Sequence, residues 1–334
     1  MALKSLEMKI VYNHSTNYPD SQPEMVKPLV VLVGPTAVGK TEISIQLAER
    51  LQGEIVSADS RLFYRGMNIG TAKPTQSEMQ QVPHHLINIA EPDEGLSLAV
   101  FQELASRSIA EILRRGNLPI LVGGTGQYVR AVIEGWLPPK ISPDAGLRKA
   151  LEAWARQIGP QQLHDRLATL DPEAAANIDF RNLRRTVRAL EVILSTGRRF
   201  SDQRARHPSP YNTLLLGLSR PRQALYARID ARIRAMLAGG LVEEVQGLLT
   251  RGYKADLPAF SAIGYREVIA YLQGRISLEE AERQMRRNTR IFVRRQANWF
   301  KSTDPQIHWF DVGENTVSNM ENKICDWLRA TKAR

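Results

Sequence analysis

The stretch VVLVGPTAVGKTEISIQLAE, residues 30–49, runs from an apolar segment into a helical pattern through a loop of the form G-x-x-x-x-G-K-T. Leu29 to Val33 supply the apolar run, and Ile43, Leu47, Ala48 and Leu51 recur at helical spacing after Lys40. A strand therefore feeds a loop that opens a helix. The segment Gly34, Pro35, Thr36, Ala37, Val38, Gly39, Lys40 and Thr41 is expected to wrap a phosphate group, because its amides and the helix N-terminus face an anion. Lys40 then reaches the terminal phosphate, and the Thr41 hydroxyl can ligate Mg2+.

Further apolar runs follow at Glu54 to Ala58, Leu86 to Ile89, Leu118 to Val122, Leu214 to Leu218 and Ile307 to Phe310, alternating with helical patterns. That alternation predicts an α/β fold, a P-loop NTPase-like core whose mostly parallel sheet is flanked by helices on both faces. From about residue 138 to 208 only helical periodicity remains, as in Leu147, Leu151, Trp154 and Ile158, then Leu183, Val187, Leu190 and Leu194. This reads as an all-helical insertion domain, bounded by the breaker-rich WLPPKISPD and RARHPSP. The catalytic core is then 29–137 joined to 209–334, and residues 1–28, which lack the apolar segment of a signal peptide and any arginine, read as a mobile extension.

Composition narrows the partners. Among 334 residues, 45 lysines and arginines face 35 acids, a formal charge of +10, which attracts a polyanion such as nucleic acid. The single cysteine, Cys325, excludes an intrachain disulfide and a cysteine-ligated zinc cluster, as suits a reducing cytoplasm. No apolar run has the length of a membrane span, so no membrane partner is expected.

Ligands of open parallel sheets bind beyond the carboxyl ends of the strands. The phosphate loop is one such place. SADSRLFYRGMNIGTAKPT sets Asp59 and Ser60 after the second run, and LVGGTGQY sets Gly123, Gly124, Thr125 and Gly126 after the fourth. Asp59 reads equally as a helix N-cap or a group behind a magnesium ion, and the glycine turn as a plain strand-to-helix turn. A nucleotide hydrolase needs an acid ending a strongly apolar strand, but LPILVGG ends in glycine, which leaves kinases and other phosphate-handling transferases. His84 and His85, before an apolar run, suit packing or hydrogen bonding better than a metal.

Basic residues cluster by helical spacing. Arg181, Arg184, Arg185 and Arg188 fall on one side, opposite Leu183, Val187, Leu190 and Leu194. Arg283, Arg286, Arg287, Arg290, Arg294, Arg295 and Lys301 follow with no acid among them. Two such surfaces can grip one phosphate backbone, against the alternative of two solvated helix faces. Arg228 and Arg232 lie one turn apart and suit a diphosphate clamp, or else surface pairs with Asp230 or Glu243.

In order and spacing, GPTAVGKT, DSRLFYRGMNIGTAKP, VGGTGQY, RRTVRALEV, AIGYRE and TRIFVRRQANWF resemble the bacterial tRNA dimethylallyltransferases, also called tRNA isopentenyltransferases, over about Leu29 to Asp311. The sequence departs from that family's usual pattern at Leu62, Gln127 and Asp179 to Asn182. The resemblance implies that the loop holds dimethylallyl diphosphate and consumes no nucleoside triphosphate. The five-carbon group would pass to the adenine 3′ to the anticodon in tRNAs reading codons that begin with U. By the same resemblance Asp59 is the general base, Thr125 contacts the base or the reacting centre, and Lys40 with Arg232 neutralises diphosphate. The tRNA anticodon stem-loop would meet Asp59, Ser60, Arg61, Leu62, Thr125, Arg148, Arg184, Arg185, Thr186, Val187, Arg188, Ser261, Ala262, Ile263, Gly264, Tyr265 and Arg266. A cytoplasmic monomer is expected. An adenylate isopentenyltransferase, a P-loop small-molecule kinase and a non-enzymatic RNA switch are the alternatives, and each leaves the arginine helices, the insertion or Asp59 idle.

Overall fold

The computed structural model describes residues 27–332 apart from 140, 142, 143, 204 and 207. In chain order the first elements are β1 (Lys27–Val33), α1 (Lys40–Leu51), β2 (Gly53–Ser57), α2 (Gln76–Gln81), β3 (His84–His85), α3 (Leu98–Arg114), β4 (Leu118–Gly123), α4 (Gly126–Ile133) and β5 (Trp136–Leu137). Four helices follow, α5 (Ala145–Ile158), α6 (Pro160–Leu170), α7 (Pro172–Ala176) and α8 (Leu183–Thr196), then β6 (Ala205–Arg206) and β7 (Tyr211–Ser219). The chain continues through α9 (Arg222–Ala238), α10 (Leu241–Thr250), a 3-10 turn at Pro258–Ser261, α11 (Tyr265–Leu272), α12 (Leu278–Gln296), β8 (Ile307–Asp311) and α13 (Thr316–Lys332).

Six strands form one parallel sheet in the order β3-β2-β4-β1-β7-β8. β1 lies inside it, and Leu29 to Val33 have no exposed surface, as expected of a strand covered on both faces. Alternate residues of β1 feed two cores. Val30 and Leu32 join α1, α9, α10 and α11, while Leu29, Val31 and Val33 join α3 and α4. Strands β2 to β4 build away from β1 on one side and β7 and β8 on the other, so a cleft opens at the carboxyl end of β1, where the phosphate loop starts.

Helices α5 to α8 enclose a third core around Leu151, Leu163, Leu167, Val187 and Leu190. The insertion is not purely helical at its border, because β5 and β6 pair antiparallel, Trp136 with Arg206 and Leu137 with Ala205. Two apolar positions of its helices also face out: Trp154 is 39% and Leu194 is 56% exposed. At the other end, Lys27 and Pro28 already pair with Tyr211 and Asn212, so β1 begins inside the expected N-terminal extension, whose residues 1–26 lie outside the described residues.

The run Leu86 to Ile89 is not a strand. Leu86 and Asn88 have φ of +63° and +56°, which a strand cannot hold, and the strand is the preceding His84–His85. Backbone demand elsewhere explains it: Asn88 and Ile89 donate to the carbonyls of Leu62 and Phe63, and Lys73 Nζ donates to Asn88 Oδ1 at 2.6 Å.

His85 and Glu54 close the far end of this half-sheet. Glu54, only 3% exposed, accepts from Arg115 at 2.7 and 3.0 Å and from Asn117 at 2.8 Å, and lies 2.6 Å from His85 Nε2. Burial alone would raise its pKa, but the hydrogen bonds from Arg115, Asn117 and His85 win and hold it at about 2. Arg115→Ala should cost about 2 kcal/mol at neutral pH, a melting-temperature loss of several degrees. Because the native carboxyl titrates low, that gap should be full above about pH 4.5 and close as the pH falls through about 2; thermal melts across that range check it.

Candidate active site

A loop that turns its amides toward an anion turns its carbonyls away from it, and those oxygens need donors of their own. The structure supplies them. Lys40 Nζ donates to the carbonyls of Gly34 and Pro35, both at 2.9 Å. Arg228 Nε donates to Ala37 O and Arg220 Nε to Val38 O, each at 2.9 Å. Gly39, with φ of 115°, caps α1 and admits the turn that a side-chain-bearing residue resists. Thr41 follows in the first turn of α1.

Gln296, 6% exposed at the end of α12, ties this loop to the glycine turn after β4. Its Oε1 accepts from the Thr36 amide and its Nε2 donates to Gly124 O, both at 2.9 Å. Trp299 fills the space beside Gly126, where a Cβ would fall 2.2 Å from the indole. Thr125 is the N-cap of α4 by position, but its side chain makes no capping hydrogen bond, which leaves the hydroxyl free to face the cleft.

Asp59 stands two residues past β2, and its Oδ1 accepts from the Arg61 amide at 3.0 Å. It therefore shapes a turn rather than capping a helix. The same carboxylate acts electrostatically on Lys40, Arg232, Arg61 and Tyr128, so the acid, the loop lysine and the α9 arginine share one cleft. Burial pulls the Lys40 ammonium down to about 8, with Arg232 pulling the same way and Asp59 opposing. Burial also lowers Arg232, whose guanidinium reaches Thr71 O at 3.4 Å. Among the described residues neither Arg228 nor Arg232 pairs with Asp230 or Glu243, and Asp230 binds Arg290 at 2.7 Å.

Arg61 spans to the 3-10 turn, donating to Pro258 O at 3.3 Å, Ala259 O at 3.2 Å and Ser261 Oγ at 3.1 Å. Arg184 of α8 acts on both Arg61 and Tyr128, which brings the insertion to the rim of the cleft. Ser60, Leu62 and Ile263 are half-buried near it, and Arg185 and Arg266 are exposed. Several residues expected on RNA are instead committed inside the protein. Thr186 and Val187 are buried on the packing side of α8. Arg148 and Arg188 both bind the buried Glu191, at 2.9 and 2.7 Å; Arg181, by contrast, precedes the helix and pairs at the surface with Asp179 at 2.7 Å. Ala262 and Tyr265 are core residues, and Gly264 is buried too; Tyr265 Oη donates to Glu244 at 2.6 Å. Glu244 in turn accepts from the amides of Asn68, Ile69 and Gly70, so the AIGYRE run holds the loop after Asp59 in place.

Among the described residues no group of three or more histidines, cysteines or acids is placed to hold a metal ion. The donor present, the Thr41 hydroxyl in the first turn of α1, suits magnesium that arrives with most of its oxygens on a phosphate ligand.

The model of the IPP transferase family matches residues 62–303. The chain belongs to this family. The tRNA dimethylallyltransferase of Roseiflexus sp. (strain RS-1) is 55% identical over 274 residues, which cover 82% of this chain and 90% of that one. That of Halalkalibacterium halodurans is 49% identical over 306 residues, 90% and 96% of the two chains. Among solved structures, the full-length tRNA isopentenylpyrophosphate transferase of Bacillus halodurans superimposes with a TM-score of 0.69 at 45% identity, covering 92% of this chain and 98% of that one. A eukaryotic dimethylallyltransferase acting on tRNA gives 0.72 at 26% identity over 89% of this chain and 77% of its own. The sheet is thus the P-loop NTPase-like core of an IPP transferase.

Sequence reasoning missed Arg220, Gln296 and Glu244 in this IPP transferase. Arg220 follows directly on β7, where the strand-end rule points; the other two lie on helices and carry no local signal. Gln296→Ala strands a buried donor and acceptor, and calorimetry should show organic diphosphate bound about tenfold more weakly, a loss of about 1.4 kcal/mol. Organic phosphates complete their ionisation near pH 6, whereas Lys40, the ammonium of the phosphate loop, titrates near 8. Diphosphate affinity should then fall by up to about tenfold per pH unit above that value, and Lys40→Arg, which keeps its proton, should flatten the profile.

Proposed function

We propose that this IPP transferase moves a dimethylallyl group from dimethylallyl diphosphate to the exocyclic N6 amine of the adenine 3′ to the anticodon, in tRNAs that read codons beginning with U, and releases diphosphate. One observation supports the reading: the Asp59 carboxylate acts electrostatically on both Lys40 and Arg232, next to the phosphate loop. A proton acceptor and an anion cradle thus flank one reacting centre.

The chemistry needs both sides. The adenine lone pair is delocalised into the ring, so the amine is a weak nucleophile whose proton becomes acidic as the new carbon-nitrogen bond forms. Asp59 takes that proton. Meanwhile the allylic carbon-oxygen bond breaks as negative charge grows on diphosphate, and the loop amides, Lys40 and Arg232 stabilise that charge. Magnesium, held by Thr41 and the diphosphate oxygens, would add Lewis-acid neutralisation of the leaving group. The adenine leaves its stack to enter the cleft, which an unpaired loop base does at small cost. Thr125, with its free hydroxyl, orients the base or the allylic carbon. The exposed Arg184 and Arg185 on the insertion, with Arg61, Ser261 and Arg266, face the anticodon arm. The enzyme works as a monomer in the cytoplasm, and among the described residues no helix is long and apolar enough to cross a membrane.

A nucleotide-hydrolase reading lacks an acid at the end of β4, which closes in Gly123, and a kinase reading leaves the arginine helices and the insertion without a role. Incubation with anticodon stem-loop RNA, dimethylallyl diphosphate and magnesium should add one five-carbon unit to the RNA mass. Asp59→Asn should lower turnover by about 100-fold or more while RNA affinity stays within about twofold. Normal turnover in that variant removes Asp59 as the base, and an unmodified RNA with wild-type protein sinks the whole reading.

A further inference from the structure

Residues 67–73, in the loop that follows Asp59, form neither helix nor strand, yet both poles of their backbone are claimed by charged side chains. Three successive amides, of Asn68, Ile69 and Gly70, donate to the Glu244 carboxylate of α10 at 2.9, 2.8 and 3.2 Å. One residue on, the Thr71 carbonyl accepts from Arg232 of α9 at 3.4 Å. An acid thus takes the amides and a guanidinium takes the carbonyl, and only Gly239 and Gly240 separate the two helices that supply them. The acid is itself seated. Tyr265 Oη donates to Glu244 at 2.6 Å, and the Tyr265 ring lies so close to Gly70 that a Cβ there would fall 2.5 Å from it. Burial and the Glu244 charge push that phenol above its ordinary range, so it stays a donor.

The loop is also held in a shape it would not choose alone. Ala72, next to Thr71, has φ of +47°, in the left-handed region that favours glycine, and such a residue persists where its surroundings over-determine it. Thr71 Oγ1 donates to Met67 O at 2.7 Å and the Ala72 amide to Ile69 O at 2.9 Å, which closes the loop on itself. Arg232 needs such a fixed partner. Among the described residues it bonds no carboxylate, and Thr71 O is its one hydrogen-bond acceptor. A desolvated cation without a counter-ion is aimed by whatever neutral acceptor it has. The position of Thr71 O, in turn, follows from the three amides pinned immediately before it.

We propose that Glu244, seated by Tyr265, is a positioning residue for diphosphate binding, which acts through the Thr71 carbonyl to aim the Arg232 guanidinium. The inference rests on the reading of Arg232 as a group that neutralises diphosphate. Glu244→Gln keeps the side-chain shape and replaces one acceptor oxygen by an N–H that the loop amides cannot use. Inorganic diphosphate, titrated calorimetrically, should bind this variant about tenfold more weakly, while anticodon stem-loop affinity stays within about twofold. A merely structural loosening would weaken both ligands, because Asp59 and Arg61, on the RNA side in that reading, precede the same loop. Arg232→Ala should weaken diphosphate binding further than Glu244→Gln does, and adding Glu244→Gln to it should cost less than about twofold more, since the acid has then lost the group it aims. Tyr265→Phe keeps the ring against Gly70 and removes only the hydroxyl; it should lose about threefold and decides the question if Glu244→Gln does not fold. An unchanged diphosphate affinity in the folded Glu244 or Tyr265 variant, equal losses for diphosphate and RNA, or a loss that adds in full to that of Arg232→Ala overturns the proposal. Wild-type diphosphate affinity in Arg232→Ala removes the reading of Arg232 and the proposal with it. The RNA mass gain by wild-type protein is decided apart from all of these.

Discussion

The constraint on which this structure rests is the polarity of the loop between β1 and α1. Its amides serve an anion only if its carbonyls find donors on the other side. Lys40, Arg220 and Arg228 provide them from three elements. The loop is accordingly held from the C-terminal end of β7, from α9 and from its own helix. Gln296 adds a fourth tie that also fixes the glycine turn after β4.

The same economy recurs around Asp59. The segment after it has little regular structure, yet its amides at Asn68, Ile69 and Gly70 are gathered by Glu244, and Lys73 bridges Tyr64 O, Asn68 and Asn88. A half-buried ammonium and a half-buried carboxylate thus do for an irregular loop what ladder hydrogen bonds do for a strand. The loop after Asp59 is held by residues far along the chain, and Tyr265, seated against Gly70, binds Glu244 in turn.

Much of this was legible in the residues. Strands β1, β2, β4 and β7 declare themselves as apolar runs because they are covered on both faces, and the edge strand β8 shows one through Ile307, Trp309 and Phe310. The phosphate loop and the strand-end places of Asp59 and Thr125 follow from spacing and topology. What stayed hidden needed partners distant in sequence. The apolar run at Leu86 imitates a strand, but Lys73 and the carbonyls near Leu62 claim its backbone first. An arginine face on α8 is real for Arg184 and Arg185, whereas Arg188 and Arg148 are drawn inward by Glu191, an acid whose burial periodicity alone does not announce. Residues read as RNA contacts because they sit in a family motif, Tyr265 among them, serve the scaffold behind the contact surface. Motif membership marks what the site requires, and a buried brace is as much required as a contact.

The ammonium of Lys40, folded back on two oxygens of its own loop, has a kinetic corollary. A bare cation in an apolar pit would cling to any oxyanion that fell into it. Here an oxyanion entering the loop would have to prise the lysine from its internal acceptors, and on leaving it would be replaced by them without waiting for water. The well is shallower at the bottom and smoother at the lip, which suits a pocket that has to empty after every cycle.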